Sequence, residues 1–130
     1  MTRIAASSKK SPPPAGPYSP SARIGRIVAG AGQGGFTADG ELLPGVAAQT
    51  RQALENLIAN LEANGAAEQD IISVRVFLTE PSQFAEMNGA YQEVFSAPYP
   101  ARTTVYVGLP KGMLVEIDAL AVIGDDGGAE

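Results

Sequence analysis

The sequence predicts an α+β sandwich, one β-sheet with two helices on one of its faces. Two stretches, Val46 to Asn64 and Pro81 to Phe95, repeat apolar residues at the helical spacings of three, four and seven. Shorter runs, such as Ile71 to Thr79, alternate side chains with the two-residue period of a strand that has one apolar and one mixed face. The resulting order, β-β-α-β-α-β-β, lacks the regular alternation of a doubly wound parallel sheet and contains no internal repeat. A length of 130 residues suits one domain with a real core.

Taken in order, residues 1–15 read as an irregular N-terminal arm. Ser7 to Ser11 is polar, and Pro12-Pro13-Pro14 admits neither helix nor interior strand pairing. A single domain then spans 16–123. Gly16-Pro17-Tyr18-Ser19-Pro20 turns the chain into it, and Tyr18 either covers core with its ring or presents its hydroxyl to a ligand. Ser21 to Ile24 and Arg26 to Ala29, with Gly25 between them, form a hairpin. Gly30-Ala31-Gly32-Gln33-Gly34-Gly35 matches the dinucleotide fingerprint only formally, because a Rossmann loop opens directly into a helix. Here Asp39-Gly40 and Pro44 intervene, so the glycines mark a bulge or a close backbone approach within the sheet.

Val46, Ala53, Leu54, Leu57, Ile58 and Leu61 form the core stripe of the first helix, with Gly65 as its C-terminal stop. Arg51, Gln52, Glu55, Asn56 and Glu62 are expected to point mostly elsewhere. In the strand that follows, Ile72, Val74, Val76 and Leu78 share one face, and Ile71, Ser73, Arg75 and Phe77 the other. Pro81 opens the second helix, whose inner face is Phe84, Met87, Asn88, Tyr91, Val94 and Phe95. Asn88 is the polar member of that stripe, either a satisfied buried amide or an amide offered to a ligand. Two further runs, Thr103 to Val107 and Met113 to Val122, are joined by a turn built from Gly108, Pro110 and Gly112. Residues 124–130 read as a flexible acidic tail.

Composition removes several kinds of chemistry. The chain has no Cys and no His, so thiol nucleophiles, imidazole-based zinc sites and Ser-His-Asp catalysis are excluded. A net charge of −5 disfavours nucleic acid as a partner. No apolar run approaches the ~20 residues that span a bilayer, and the N-terminus lacks an apolar signal core, which together predict a cytoplasmic protein with no membrane partner.

The chemistry that remains centres on Arg102 and Glu116. Arg102 stands at the mouth of a strand just after Pro100, where a guanidinium can grip a carboxylate by two parallel hydrogen bonds. Glu116 lies among Leu114, Val115, Ile117 and Leu120, where a carboxylate tends to be paired or to have a raised pKa. Spacing alone also accommodates a structural Arg–Glu pair or two solvated side chains.

Six segments in order resemble the RidA (YjgF) family across nearly all of Gly16 to Val122. They are Gly16-Pro17-Tyr18-Ser19, Gly32-Gln33, the run Gln49 to Leu57, Met87-Asn88, Pro100-Ala101-Arg102-Thr103, and Leu109-Pro110-Lys111-Gly112 with Val115-Glu116-Ile117. The resemblance implies a chorismate-mutase-like (YjgF-type) sandwich with one mixed sheet, assembled as a homotrimer with clefts between neighbouring subunits. It implies hydrolysis of 2-enamino and 2-imino acids to 2-oxo acids and ammonia, without metal or cofactor. By the same resemblance Arg102 binds the substrate carboxylate and Glu116 positions water or moves protons. Tyr18, Asn88, the backbone near Gly32 and Thr104 line the cleft. Thr104 stands where many members carry cysteine, Ala31 where a serine often precedes the Gly-Gln pair, and Pro20 where a glutamine often follows Tyr18-Ser19; these departures bear on substrate preference and activity. Two other classes fit parts of the sequence: a non-catalytic trimer binding a small carboxylate or a client protein, and an L-PSP-type endoribonuclease or translation inhibitor.

Overall fold

Six strands and two helices build the computed structural model, which describes residues 1–124. The strands are β1 (Ile4–Ala6), β2 (Ser21–Ile24), β3 (Ile27–Gln33), β4 (Ile71–Leu78), β5 (Ala101–Tyr106) and β6 (Val115–Val122), and the helices are α1 (Val46–Ala63) and α2 (Phe84–Val94). The sheet is mixed, in the order β1-β2-β3-β6-β4-β5. Its neighbours are antiparallel except β4 and β5, which run parallel. The two C-terminal strands are therefore not partners, because β4 lies between them. Among the described residues no helix is long and apolar enough to cross a membrane. Except for Gly124, the acidic tail lies outside the described residues.

One core joins the sheet to both helices. Val28, Val74, Val76, Leu78, Val115 and Ile117 meet Leu54, Leu57 and Leu61 of α1, Met87 and Tyr91 of α2, and Phe95 just after it. The helices thus cover one face of the sheet, as the sequence predicts. The other face is open, and Ile24, Ile27, Val105 and Leu120 are exposed on it.

Local readings are refined at four places. The arm is not irregular throughout, since Ile4–Ala6 pairs with β2 ahead of the three prolines. Two side-chain amides hold it there: at the C-cap of α1 Asn64 Nδ2 donates to the Ile4 carbonyl (3.1 Å), and within the helix Asn60 Oδ1 accepts from the Ser8 amide (2.8 Å) and the Ser11 hydroxyl (2.9 Å). Second, a register shift between Ile71 and Ser73 buries Ile71 and leaves Ile72 exposed, the reverse of strict alternation. Third, Asn56 is buried and donates to the Phe36 carbonyl at 2.8 Å, so it belongs to the interior. Fourth, Pro81–Gln83 forms a 3-10 turn ahead of α2, and Phe84 at the helix start is exposed. The glycine run behaves as expected: β3 continues to Gln33 with an irregular register between Gly30 and Gln33.

Gln49, Asn56, Asn60 and Asn64, spaced by seven and four residues, lie along one flank of α1 and tie loops to it. Gln49 does most for the site. Its Nε2 donates to the Leu43 carbonyl (2.9 Å) and the Gly112 carbonyl (3.1 Å), while its Oε1 accepts from the Leu114 amide (2.8 Å). Replacing Gln49 with leucine strips partners from three backbone groups. We expect a loss on the order of 3 kcal/mol in urea unfolding, since each buried orphan costs about 1–3 kcal/mol. A loss under about 0.5 kcal/mol, the range of neutral surface changes, would mean the loop before β6 holds itself.

Candidate active site

Arg102 is positioned by the parallel pairing of β5 with β4. It lies opposite Val74, a core residue, so its side chain leaves the sheet on the helix side. There its guanidinium lies over the Tyr91 ring at 4.8 Å and near the Phe84 ring at 5.7 Å. Stacking on aromatic faces holds the guanidinium while leaving its N–H edge free for a ligand. A cleft of about 270 Å³ opens here, lined by Asn88, Tyr91, Gln92, Tyr99, Pro100 and Arg102. Among the described residues no carboxylate is paired with Arg102. The Tyr91 hydroxyl is buried without a hydrogen-bond partner. Burial raises its pKa, against the opposing pull of the Arg102 charge, so it stays a neutral donor.

Glu116 faces a different cleft. It lies opposite Phe77 on β4, so it projects from the open face of the sheet. Tyr18, Gly32, Phe36, Met113 and Glu116 line this second space, about 460 Å³, with the Pro12–Pro14 run along one side. A Cβ on Gly32 would overlap the Glu116 carboxylate, which is the close approach that the glycine run permits. Desolvation raises the Glu116 pKa, and the nearby negative charge of Asp118 raises it further. Of the two outcomes that the sequence leaves open, pairing or a raised pKa, the second applies, with the desolvation coming from the cleft and not from Val115 and Ile117, which face the helices.

The structure thus brings Tyr18, Gly32 and Glu116 into one cleft and Asn88 with Arg102 into another. Arg102 and Glu116 sit on opposite faces of the sheet with β4 between their strands. An internal Arg102–Glu116 pair is excluded by that topology. Thr104 lines neither cleft; it lies opposite Val76, and its hydroxyl is buried without a partner. Sequence reasoning assigned Tyr91 and Phe84 to the core stripe and missed their stacking on Arg102. Tyr91 follows Asn88 by three residues and so shares its helix face, a signal that pointed to both.

A mixed six-stranded sheet with two helices on one face, carrying a stacked arginine and a desolvated glutamate in separate clefts, defines a YjgF-type α+β protein. The family model described as "Endoribonuclease L-PSP" matches residues 8–123. A RutC family protein of Pyrococcus abyssi is 40% identical over 116 residues, covering 87% of this chain and 91% of that one. A 2-iminobutanoate/2-iminopropanoate deaminase of Bos taurus is 37% identical over 127 residues, covering 95% and 93%. Among solved structures, Escherichia coli TdcF with bound serine superposes with a TM-score of 0.89 at 35% identity, covering 93% of this chain and 99% of that one. The chain belongs to the YjgF/RidA/L-PSP family.

Proposed function

We propose that this protein hydrolyses reactive 2-enamino and 2-imino acids to 2-oxo acids and ammonia. The observation that carries the reading is Arg102, stacked on Tyr91 and without a carboxylate partner among the described residues, facing a cleft of small-molecule size. A 2-imino acid carries one carboxylate for the guanidinium and an electrophilic C=N carbon beside it. Water adds to that carbon to give a carbinolamine. The C–N bond then breaks, ammonia leaves and the carbonyl of the 2-oxo acid forms. Arg102 orients the substrate, and Glu116 takes a proton from water and returns one to the departing nitrogen. Asn88 and the Tyr91 hydroxyl offer further hydrogen bonds to the ligand. No metal or cofactor of the protein's own enters the scheme, and the cytoplasm is its proposed compartment.

Because Arg102 and Glu116 leave opposite faces of the sheet, they serve one substrate only across two chains. A homotrimer supplies that arrangement, with the Arg102 cleft of one subunit meeting the Glu116 cleft of its neighbour. The exposed Ile24, Ile27, Val105 and Leu120 on the open sheet face support burial against other copies. Light scattering should give three times the 13.4 kDa chain mass. A monomer at micromolar concentration would overturn the shared site.

The direct test is ammonia and 2-oxo acid release from freshly generated 2-iminobutanoate or 2-iminopropanoate, over the spontaneous rate. No acceleration, with 2-oxo acids still binding, would favour a non-catalytic carboxylate-binding trimer. The net charge of −5, with Arg102 the one cation lining the two clefts among the described residues, disfavours an endoribonuclease, which needs several phosphate contacts.

A further inference from the structure

We propose that the Arg75–Asp118 ion pair on the open sheet face controls the proton affinity of Glu116, making both members positioning residues for that acid. The inference rests on the reading of Glu116 as the proton carrier and adds the device that tunes it. Glu116 and Asp118 are alternate residues of β6, so their carboxylates leave the same face. On β4, Phe77 lies opposite Glu116 and Arg75 lies opposite Asp118. Arg75 grips Asp118 by both edges of its fork, Nε to Oδ1 at 3.0 Å and Nη2 to Oδ2 at 2.7 Å. It also lies over the Phe77 ring at 5.8 Å.

Arg75 is therefore a diagonal neighbour of Glu116 that is committed elsewhere. Such neighbours sit roughly 7–8 Å apart, within reach of an arginine side chain. The groups facing Glu116 can be named from each side. Within one chain, β6 supplies Asp118, β4 supplies the Phe77 ring and, diagonally, Arg75, β3 supplies Gly32 and the uncharged Gln33, and the turn into the domain supplies Tyr18 across the cleft. The proposed trimer adds Arg102 of the neighbouring subunit, which is the same in every variant compared. Asp118 raises the Glu116 pKa through its charge, in addition to desolvation. Arg75 limits that effect by neutralising Asp118, and by staying bound it keeps its own positive charge off Glu116.

Two substitutions should act in opposite directions. Asp118→Asn removes the negative neighbour and releases Arg75 toward Glu116, so the Glu116 titration midpoint should fall. Arg75→Met leaves the Asp118 charge uncompensated, so the midpoint should rise. Arg75→Lys keeps the charge and should stay near the parent. The midpoints are read by carbon NMR of the glutamate side-chain carboxyls, with Glu116 assigned by its loss in Glu116→Gln and folding checked by amide spectra. A chain without histidine has no imidazole titrating through the same window.

Coincident midpoints, or movement of both variants in the same direction, would overturn the proposal. If Asp118→Asn does not fold, the contrast between Arg75→Met and Arg75→Lys decides it. The pH profile of imine hydrolysis should move with the midpoints. Split midpoints in a protein that hydrolyses no imine would leave the tuning intact and remove the deaminase reading. Normal hydrolysis with unmoved midpoints would do the reverse.

Discussion

Arg102→Lys should lower imine hydrolysis by about a hundredfold, the cost of misplacing a substrate by about 1 Å. Lysine keeps the positive charge but has neither the planar fork that grips two carboxylate oxygens nor the flat face that stacks on Tyr91 and Phe84. The substrate carboxylate is then attracted without being held in one orientation. Binding of a 2-oxo acid product analogue, read by calorimetry, should weaken as well. Assembly should be unaffected, because lysine keeps the positive charge and the apolar residues exposed on the open sheet face are untouched. Parent-like turnover in Arg102→Lys would mean that charge alone suffices and that the aromatic stack has no part in orientation.

Glu116→Gln should separate chemistry from stability. Glutamine keeps the shape and hydrogen-bonding capacity of the acid but cannot cycle a proton, so turnover should fall by about 10²–10⁴ while product-analogue binding stays near normal. Stability should move the other way at neutral pH. The folded-state pKa of Glu116 is raised above its unfolded value of 4.5, chiefly by desolvation. Between those two values the folded state binds the proton more tightly, so stability declines as pH rises from the unfolded pKa through the folded one. Above the folded pKa the whole penalty of the buried charge is present; below the unfolded value of 4.5 it is absent. Urea unfolding at pH 7 should therefore find Glu116→Gln more stable than the parent, and the difference should vanish in acid. A variant less stable than the parent at pH 7 would mean that the carboxylate is satisfied by groups that glutamine cannot engage. Parent-rate hydrolysis would pass the proton work to backbone groups near Thr104.

Much of the architecture was legible in the residues because local periodicity dictates it. The stripe of Leu54, Leu57 and Leu61 has to face a core, and Val74, Val76 and Leu78 alternate into the same interior. Gly32 signalled a close approach because the glycine run did not open into a helix, and the group that approaches is the Glu116 carboxylate. The raised pKa of Glu116 agrees with the sequence, but its cause is not local, since Val115 and Ile117 face the helices and the cleft around Glu116 is lined by Tyr18, Phe36 and Met113. The amides of α1 were less transparent. Asn56 read as a solvent-side residue because polarity alone does not reveal that a loop carbonyl will satisfy it.

Strand order and cross-strand register were decided by the tertiary structure alone. By itself the sequence determined an α+β sandwich, its core stripes and the residue types available for chemistry, all set by side-chain period and composition within short windows. It did not determine that β4 inserts between β5 and β6, since long-range pairing depends on which edges meet and not on the local pattern. Register against β4 sets Arg102 opposite Val74, toward the helices, and Glu116 opposite Phe77, toward the open face, so one chain presents two incomplete clefts. It also places Arg75 opposite Asp118 rather than Glu116. The bulge between Ile71 and Ser73 swaps Ile71 with Ile72, because one extra residue reverses the facing of everything on its far side.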